Sequence, residues 1–330
     1  RRLRQLLPEL KTVSGIDGRI AKLMNGGRSQ PDDGLYELLV AGAYKCRAWT
    51  AVEFVPEQPG VTKTHDLMVS SGRRHWAVEC KRVNRSGYEA AEYDHGLRIA
   101  GYVHDLCRAR KCSLVVAVSY KVELSEVGDT YLAERAEDFL ADPRRTDWSD
   151  SVSQGRMRPV DWRLARAVLE HDDIFFGSSR MVELLVGTEM PNFDHSVAAD
   201  WTPAPQRPFH ATAMSQASVV SWRSTSPNAA KRKARHFRSL VAKAEEQLPA
   251  DFPGIVHVGY EARDGNSVDD LRHAMNRAEM KTFKANQSQL RWVYGNYLSP
   301  EHTNARNESC ALSETTATYK VGNHRTTSPL

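Results

Sequence analysis

The chain has 330 residues, 41% of them hydrophobic and 26% charged, and carries a net charge of +4. This is the balance of a globular protein of about two domains, or of one domain with a large insertion, and the mild basic excess permits nucleic-acid binding without requiring it. No apolar run approaches the about 18 residues of a membrane span. The opening RRLRQLL has no apolar signal core, and five scattered cysteines without a C-x-x-C pair point to a reducing, cytoplasmic compartment rather than a disulfide framework.

Residues 1–25 are predicted helical, with Leu3, Leu6, Leu7, Leu10, Ile16, Ile20 and Leu23 recurring at helical spacing and a break near Gly15 and Gly18. The stretch 25–34 (NGGRSQPDDG) reads as a loop. A helix follows over 35–49, with Asp32 and Asp33 near its N-terminus. The residues at 50–55 (TAVEFV) alternate as a strand, and 65–70 (HDLMVS) and 74–83 (RHWAVECKRV) form two more around the turn SGR. A helix is predicted over 87–110. The run 113–120 (SLVVAVSY), apolar on both faces, reads as a buried strand. Beyond it the expectations are a helix at 130–143 closed by Pro143, a strand at 181–187 (MVELLVG) and a Pro-rich linker at 201–209. The segment 229–249 is amphipathic, with Phe237, Leu240, Val241, Ala244 and Leu248 on one face. A strand at 255–260, a helix at 266–284 and late strands at 289–297 and 310–321 complete the pattern. The order helix, three strands, helix, strand predicts an α/β protein with a mixed central sheet and an αβββαβ core.

The strand at 74–83 carries Glu79 and Lys81 on one side. With Gly72-Arg73 as a two-residue type II′ loop, the pairs run 71/74, 70/75, 69/76, 68/77 and 67/78, and place Asp66 opposite Glu79. Leu67, Val69, Trp76, Val78 and Cys80 then share one face, and Asp66, Met68, Ala77, Glu79 and Lys81 the other. A one-residue slip mixes the two sets. Carboxylates directly opposite repel. A divalent cation between them removes the conflict: Asp66, Glu79 and the backbone carbonyl of Cys80 offer three hard oxygens of the kind Mg²⁺ takes. Lys81, one pleat on, can orient a water or offset charge on a phosphate. E-x-K alone is a weak signal, since it also occurs at Glu9 to Lys11 and Glu279 to Lys281. Only the middle one closes a strand with an acidic partner.

The run from Tyr36 to Val83 resembles the PD-(D/E)xK nuclease superfamily, the restriction-endonuclease-like fold, through YELLVAGAYKCRAW, AVEFVPE, KTHDLMV and WAVECKRV. The resemblance implies that Asp66 and Glu79 bind Mg²⁺ or Mn²⁺ with the Cys80 carbonyl, that Lys81 is the catalytic lysine, and that Glu37, on the first helix, binds a second metal or an outer-shell water. His65 stands where the family has proline, and the Q-x-x-x-Y pattern of its exonuclease-like members is missing from 87–110. The implied activity is metal-dependent endonucleolytic hydrolysis of DNA, more than of RNA, in the setting of a defence or restriction effector with a regulatory partner or a homo-oligomeric state. The alternatives are an inactive nuclease-fold subunit that binds nucleic acid or a partner protein, and an interaction protein whose acidic hairpin is only surface.

Arg82 and Arg85 follow the lysine, and Lys231, Arg232, Lys233 and Arg235 form a basic helix face; all six are candidates for phosphate contact. His104, Cys107 and Cys112 match no common zinc spacing, and EHDDIFF (170–176) is a carboxylate cluster expected to lie in an insertion. The expected organisation is a helical segment 1–33, a nuclease core 34–120, an accessory lobe 121–228 and a helix-strand addition 229–330 that completes or flanks the core.

Overall fold

The computed structural model describes residues 2–26, 31–56, 64–83, 86–188, 193–261, 265–286, 288–301 and 311–330. The N-terminal third contains α1 (Arg2–Leu10), α2 (Ile16–Gly26), α3 (Pro31–Cys46), β1 (Ala51–Phe54), β2 (Leu67–Ser71), β3 (Arg74–Arg82) and α4 (Gly87–Arg110). Then come β4 (Leu114–Tyr120), α5 (Tyr131–Ala141), β5 (Asp147–Ser149), β6 (Ser153–Pro159), α6 (Trp162–Leu169), β7 (Ile174–Phe175), α7 (Ser179–Val186), β8 (Asp194–Ala204) and β9 (Arg207–Ser224). The chain closes with α8 (Pro227–Glu245), β10 (Pro253–Glu261), α9 (Gly265–Lys281), β11 (Gln289–Glu301) and β12 (Ala311–Lys320). Among these described residues no helix is long and apolar enough to cross a membrane.

The protein is α/β, with two mixed six-stranded sheets among the described residues. The first runs β1-β2-β3-β10-β11-β12, antiparallel at both ends and parallel where β3, β10 and β11 meet. Helices cover both of its faces. Tyr36, Leu38, Val40 and Tyr44 of α3 pack with Val52, Leu67, Val69, Trp76, Val78 and Cys80 on one side. Phe237, Val241 and Ala244 of α8 and Met280 of α9 pack with Ala77, Val256, Val258 and Val293 on the other. The turn joining β2 to β3 has Gly72 at φ +59°, the backbone a type II′ turn needs at its first central position and one a side chain resists.

The second sheet runs β5-β6-β4-β9-β7, with β8 also paired to β9. This corrects the αβββαβ expectation over 34–120. The strand at 113–120 is central, as its two apolar faces require, but it is central in the second sheet, between β6 and β9. The strand beside β3 is β10, parallel from Gly254↔Ala77 to Gly259↔Arg82. The helix α4 sides with the second sheet too: Ile99, Ala100, Val103 and Cys107 bury against Leu114, Val116 and Trp222. Two local readings also change. Residues 181–186 are helical, because Ser178 accepts the Met181 N–H at the N-cap and Gly187 ends the helix at φ +74°. The Pro-rich stretch at 201–209 is the tip of the β8–β9 hairpin, where the ladder shifts at Pro203, as an edge strand tolerates.

Candidate active site

The hairpin register holds from Ser71↔Arg74 to Leu67↔Val78. Asp66 lies just past that ladder. Its N–H still donates to Val78 O at 3.1 Å, while its side chain turns back so that Oδ2 accepts the Cys80 N–H at 2.8 Å. The expected 66/79 pair is thus replaced by a fork, in which Asp66 reaches across the end of β3.

Glu79 is 1% exposed, on the sheet face that α8 and α9 cover. Lys81 Nζ donates to Glu79 Oε1, and Glu79 Oε2 is buried with no hydrogen-bond partner among the described residues. Burial, and after it the Asp66 charge, push the Glu79 carboxyl up, Lys81 only partly offsets them, and the net result is about 8. Lys81 is the solvent-facing member, its side chain 25% exposed. Glu37 enters from α3 and meets Asp66 through a residue the sequence did not single out. Arg19 of α2 donates from Nη2 to Asp66 Oδ1 at 3.0 Å, and its Nε lies 3.0 Å from Glu37 Oε2. Nothing local marks Arg19: it is one of 45 lysines and arginines, and only the return of α2 against β1 brings it here.

Asp66, Glu79 and Lys81 therefore converge, and Glu37 joins them across Arg19. The donor set suits a hard divalent cation, and its carboxylate oxygens include Glu79 Oε2, which is buried and has no hydrogen-bond partner among the described residues. As the side chains stand, no group of three or more His, Cys, Asp or Glu among the described residues is arranged to chelate an ion: Asp66 Oδ1 is turned to Arg19 and Glu79 Oε1 to Lys81. Cys80 contributes its N–H to Asp66, and its thiol is sealed in the core on the α3 side, where burial pushes its pKa well up.

The basic candidates divide. Lys233 is buried, 2.8 Å from Glu92 of α4, so it ties two helices together and is not free to meet a phosphate. Arg232 is 3.2 Å from Glu123 and lies over the Tyr88 ring. Lys231 and Arg235 are exposed. Arg82 is half-buried at the end of β3, and Arg85 lies outside the described residues. The acidic stretch at 170–176 is explained by ion pairs: Asp173 holds Arg207 and His210, and Asp172 faces Arg180. His104 is bonded to Ser218 and Ser196, and Cys107 and Cys112 are free thiols.

Comparison of the chain with protein-family models, with curated proteins and with solved structures returns no match. The functional reading therefore rests on the residues themselves.

Proposed function

We propose that the chain is a divalent-metal-dependent nuclease of the PD-(D/E)xK type, acting on DNA as an endonuclease. The observation that carries the reading is the convergence of Asp66, Glu79 and Lys81 at one end of the β2–β3 hairpin, with a buried carboxylate oxygen left unsatisfied. A buried carboxylate with a single donor and a second carboxylate beside it is destabilising, so the arrangement makes physical sense where a ligand completes it. The order α3, β1, β2, β3, then α8 and β10 parallel to β3, agrees with an αβββαβ core interrupted by the second sheet.

In this reading Asp66 and Glu79 hold Mg²⁺ or Mn²⁺, with the Cys80 carbonyl as a third oxygen and Glu37 on the outer side. The bound ion supplies Lewis-acid stabilisation and a nucleophilic water at neutral pH. Lys81, kept in place by Glu79 and open to solvent, orients the attacking water and offsets negative charge on the phosphate. Arg82, one residue on, steadies the nucleic-acid backbone. The partner is DNA. Supercoiled plasmid, linear DNA and RNA are incubated with the purified chain in Mg²⁺, Mn²⁺ or EDTA. Metal-dependent plasmid cleavage that is lost in Glu79→Ala and Lys81→Ala supports the reading, and unchanged cleavage in either variant refutes it.

A second reading has its own support. The Arg19 contacts to Asp66 and Glu37 partly neutralise the cluster without any ion, as in a nuclease-fold subunit that binds nucleic acid and never cuts. Metal-independent DNA binding with no cleavage under any condition identifies that case.

A further inference from the structure

Arg19 stands against the two carboxylates that a cation would need. Its Nη2 donates to Asp66 Oδ1 at 3.0 Å, and its Nε is 3.0 Å from Glu37 Oε2. The other Asp66 oxygen accepts the Cys80 N–H. Both oxygens of Asp66 have partners, whereas Glu79 Oε2 has none among the described residues.

The placement of Arg19 is built by the fold. The chain between α1 and α2 docks on the edge of β1: the Ser14 N–H donates to Val52 O at 3.1 Å, and the Phe54 N–H donates to Ser14 O at 2.9 Å. Gly15 then turns at φ +77°, where an added Cβ would fall 3.1 Å from Phe54 O, so the approach needs glycine. The helix α2 starts at the next residue, and the Arg19 side chain, 10% exposed, passes over the Phe54 ring at 5.4 Å. A guanidinium held on three sides loses little further entropy in bridging two carboxylates.

We propose that Arg19 is a built-in competitor for the cation site: an autoinhibitory contact by which the N-terminal segment occupies Asp66 and Glu37, and which a divalent cation must displace. The inference rests on the nuclease reading for its assignment of Asp66 and Glu79 as cation ligands. The electrostatics set its direction. With all groups ionised, Glu37, Asp66 and Glu79 face Arg19 and Lys81, and the cluster carries one net negative charge; without Arg19 it carries two. A second cation entering beside Arg19 meets a like charge within a few ångströms in a poorly hydrated place, where such repulsion is weakly screened. The metal-free chain is thus held together at a cost in ion affinity, and anything that lifts α2 from β1 raises that affinity.

Mn²⁺ binding to the full chain, without DNA and at fixed pH and ionic strength, is read from the free-ion electron paramagnetic resonance signal. The proteins compared are wild type, Arg19→Gln, Arg19→Lys, Asp66→Asn and Glu79→Gln. Arg19→Gln binds Mn²⁺ tighter by about tenfold or more, as expected for removal of a like charge at this range. Arg19→Lys keeps the charge but cannot bridge both carboxylates, and shows a smaller increase. Affinity in Arg19→Gln that is equal to or below wild type, with binding lost in Asp66→Asn, overturns the proposal and makes Arg19 a positioning residue. Should Arg19→Gln not fold, Arg19→Lys decides by the same criterion. Wild-type affinity in both Asp66→Asn and Glu79→Gln is a different failure, that of the ligand assignment.

Discussion

Asp150 and Glu79 are carboxylates set one beside each sheet, and the protein treats them in opposite ways. Asp150 Oδ1 accepts the N–H groups of Val152 and Ser153, and its Oδ2 accepts from the Tyr131 hydroxyl and from Arg135. Partial burial alone would raise its pKa, but Tyr131, the two backbone donors and Arg135 outweigh it, and the net shift is downward. Glu79 is more deeply buried, has one donor in Lys81, faces Asp66, and is lifted to about 8. A carboxylate saturated with donors is a structural clasp. One left short of donors among like charges is a poor way to hold a fold together, and is the kind of place where a ligand can complete the shell.

The comparison breaks first on activity. Glu79→Ala or Lys81→Ala lowers metal-dependent DNA cleavage by at least about a hundredfold, whereas Asp150→Ala leaves the rate per folded molecule unchanged, in plasmid-nicking assays normalised by circular dichroism. On stability the ranking reverses. Asp150→Ala strips four donors of their acceptor and costs about 2–4 kcal/mol in urea unfolding. Metal-free Glu79→Gln costs less or is stabilising, because the amide replaces a group whose ionisation burial opposes; equal losses would dissolve the contrast.

A pH series sharpens it. The folded-state pKa of Glu79 is raised, so its stabilising contribution is full below about 4.5, the ordinary carboxyl value, and is lost as pH rises toward about 8. Buried His257, lowered to about 4, acts the other way and costs stability as pH falls below about 6.5. The informative quantity is therefore the stability of wild type minus that of Glu79→Gln, which declines between about pH 4.5 and 8. A flat difference would sink the placement of Glu79. The smallest effect is on DNA affinity: Lys231→Ala and Arg235→Ala each reduce the salt dependence of binding by about one ion. Lys233→Ala instead shows itself in stability, since it leaves Glu92 buried without its 2.8 Å partner.

Much of the candidate site was legible. The alternation in β2 and β3, Gly72 in the turn, and the E-x-K placed against an acidic strand start led to Asp66, Glu79 and Lys81. The helix over 87–110 was legible for a local reason as well: Ser86 and Glu89 form a reciprocal capping box at its start. The run at 181–187, expected as a strand, forms the body and C-cap of α7: an apolar run of that length fits either period, and the deciding signals are its caps, Ser178 and Gly187. Lys233 was misread because a basic helix face looks the same in sequence whether it meets solvent or a carboxylate such as Glu92.

By itself the sequence determined the hairpin, its register down to Leu67 and Val78, the faces of its strands and the charged residues gathered at its end. Turn geometry and period-two alternation are local properties, and a shift of one residue would expose every apolar side chain of the pair. Only the tertiary structure decided that β10, and not β4, lies beside β3, and that Arg19 comes to rest on Asp66 and Glu37. Those pairings join segments far apart in the chain, and the energy that selects them, burial against a sheet and charge against charge, leaves no mark in the spacing of neighbouring residues.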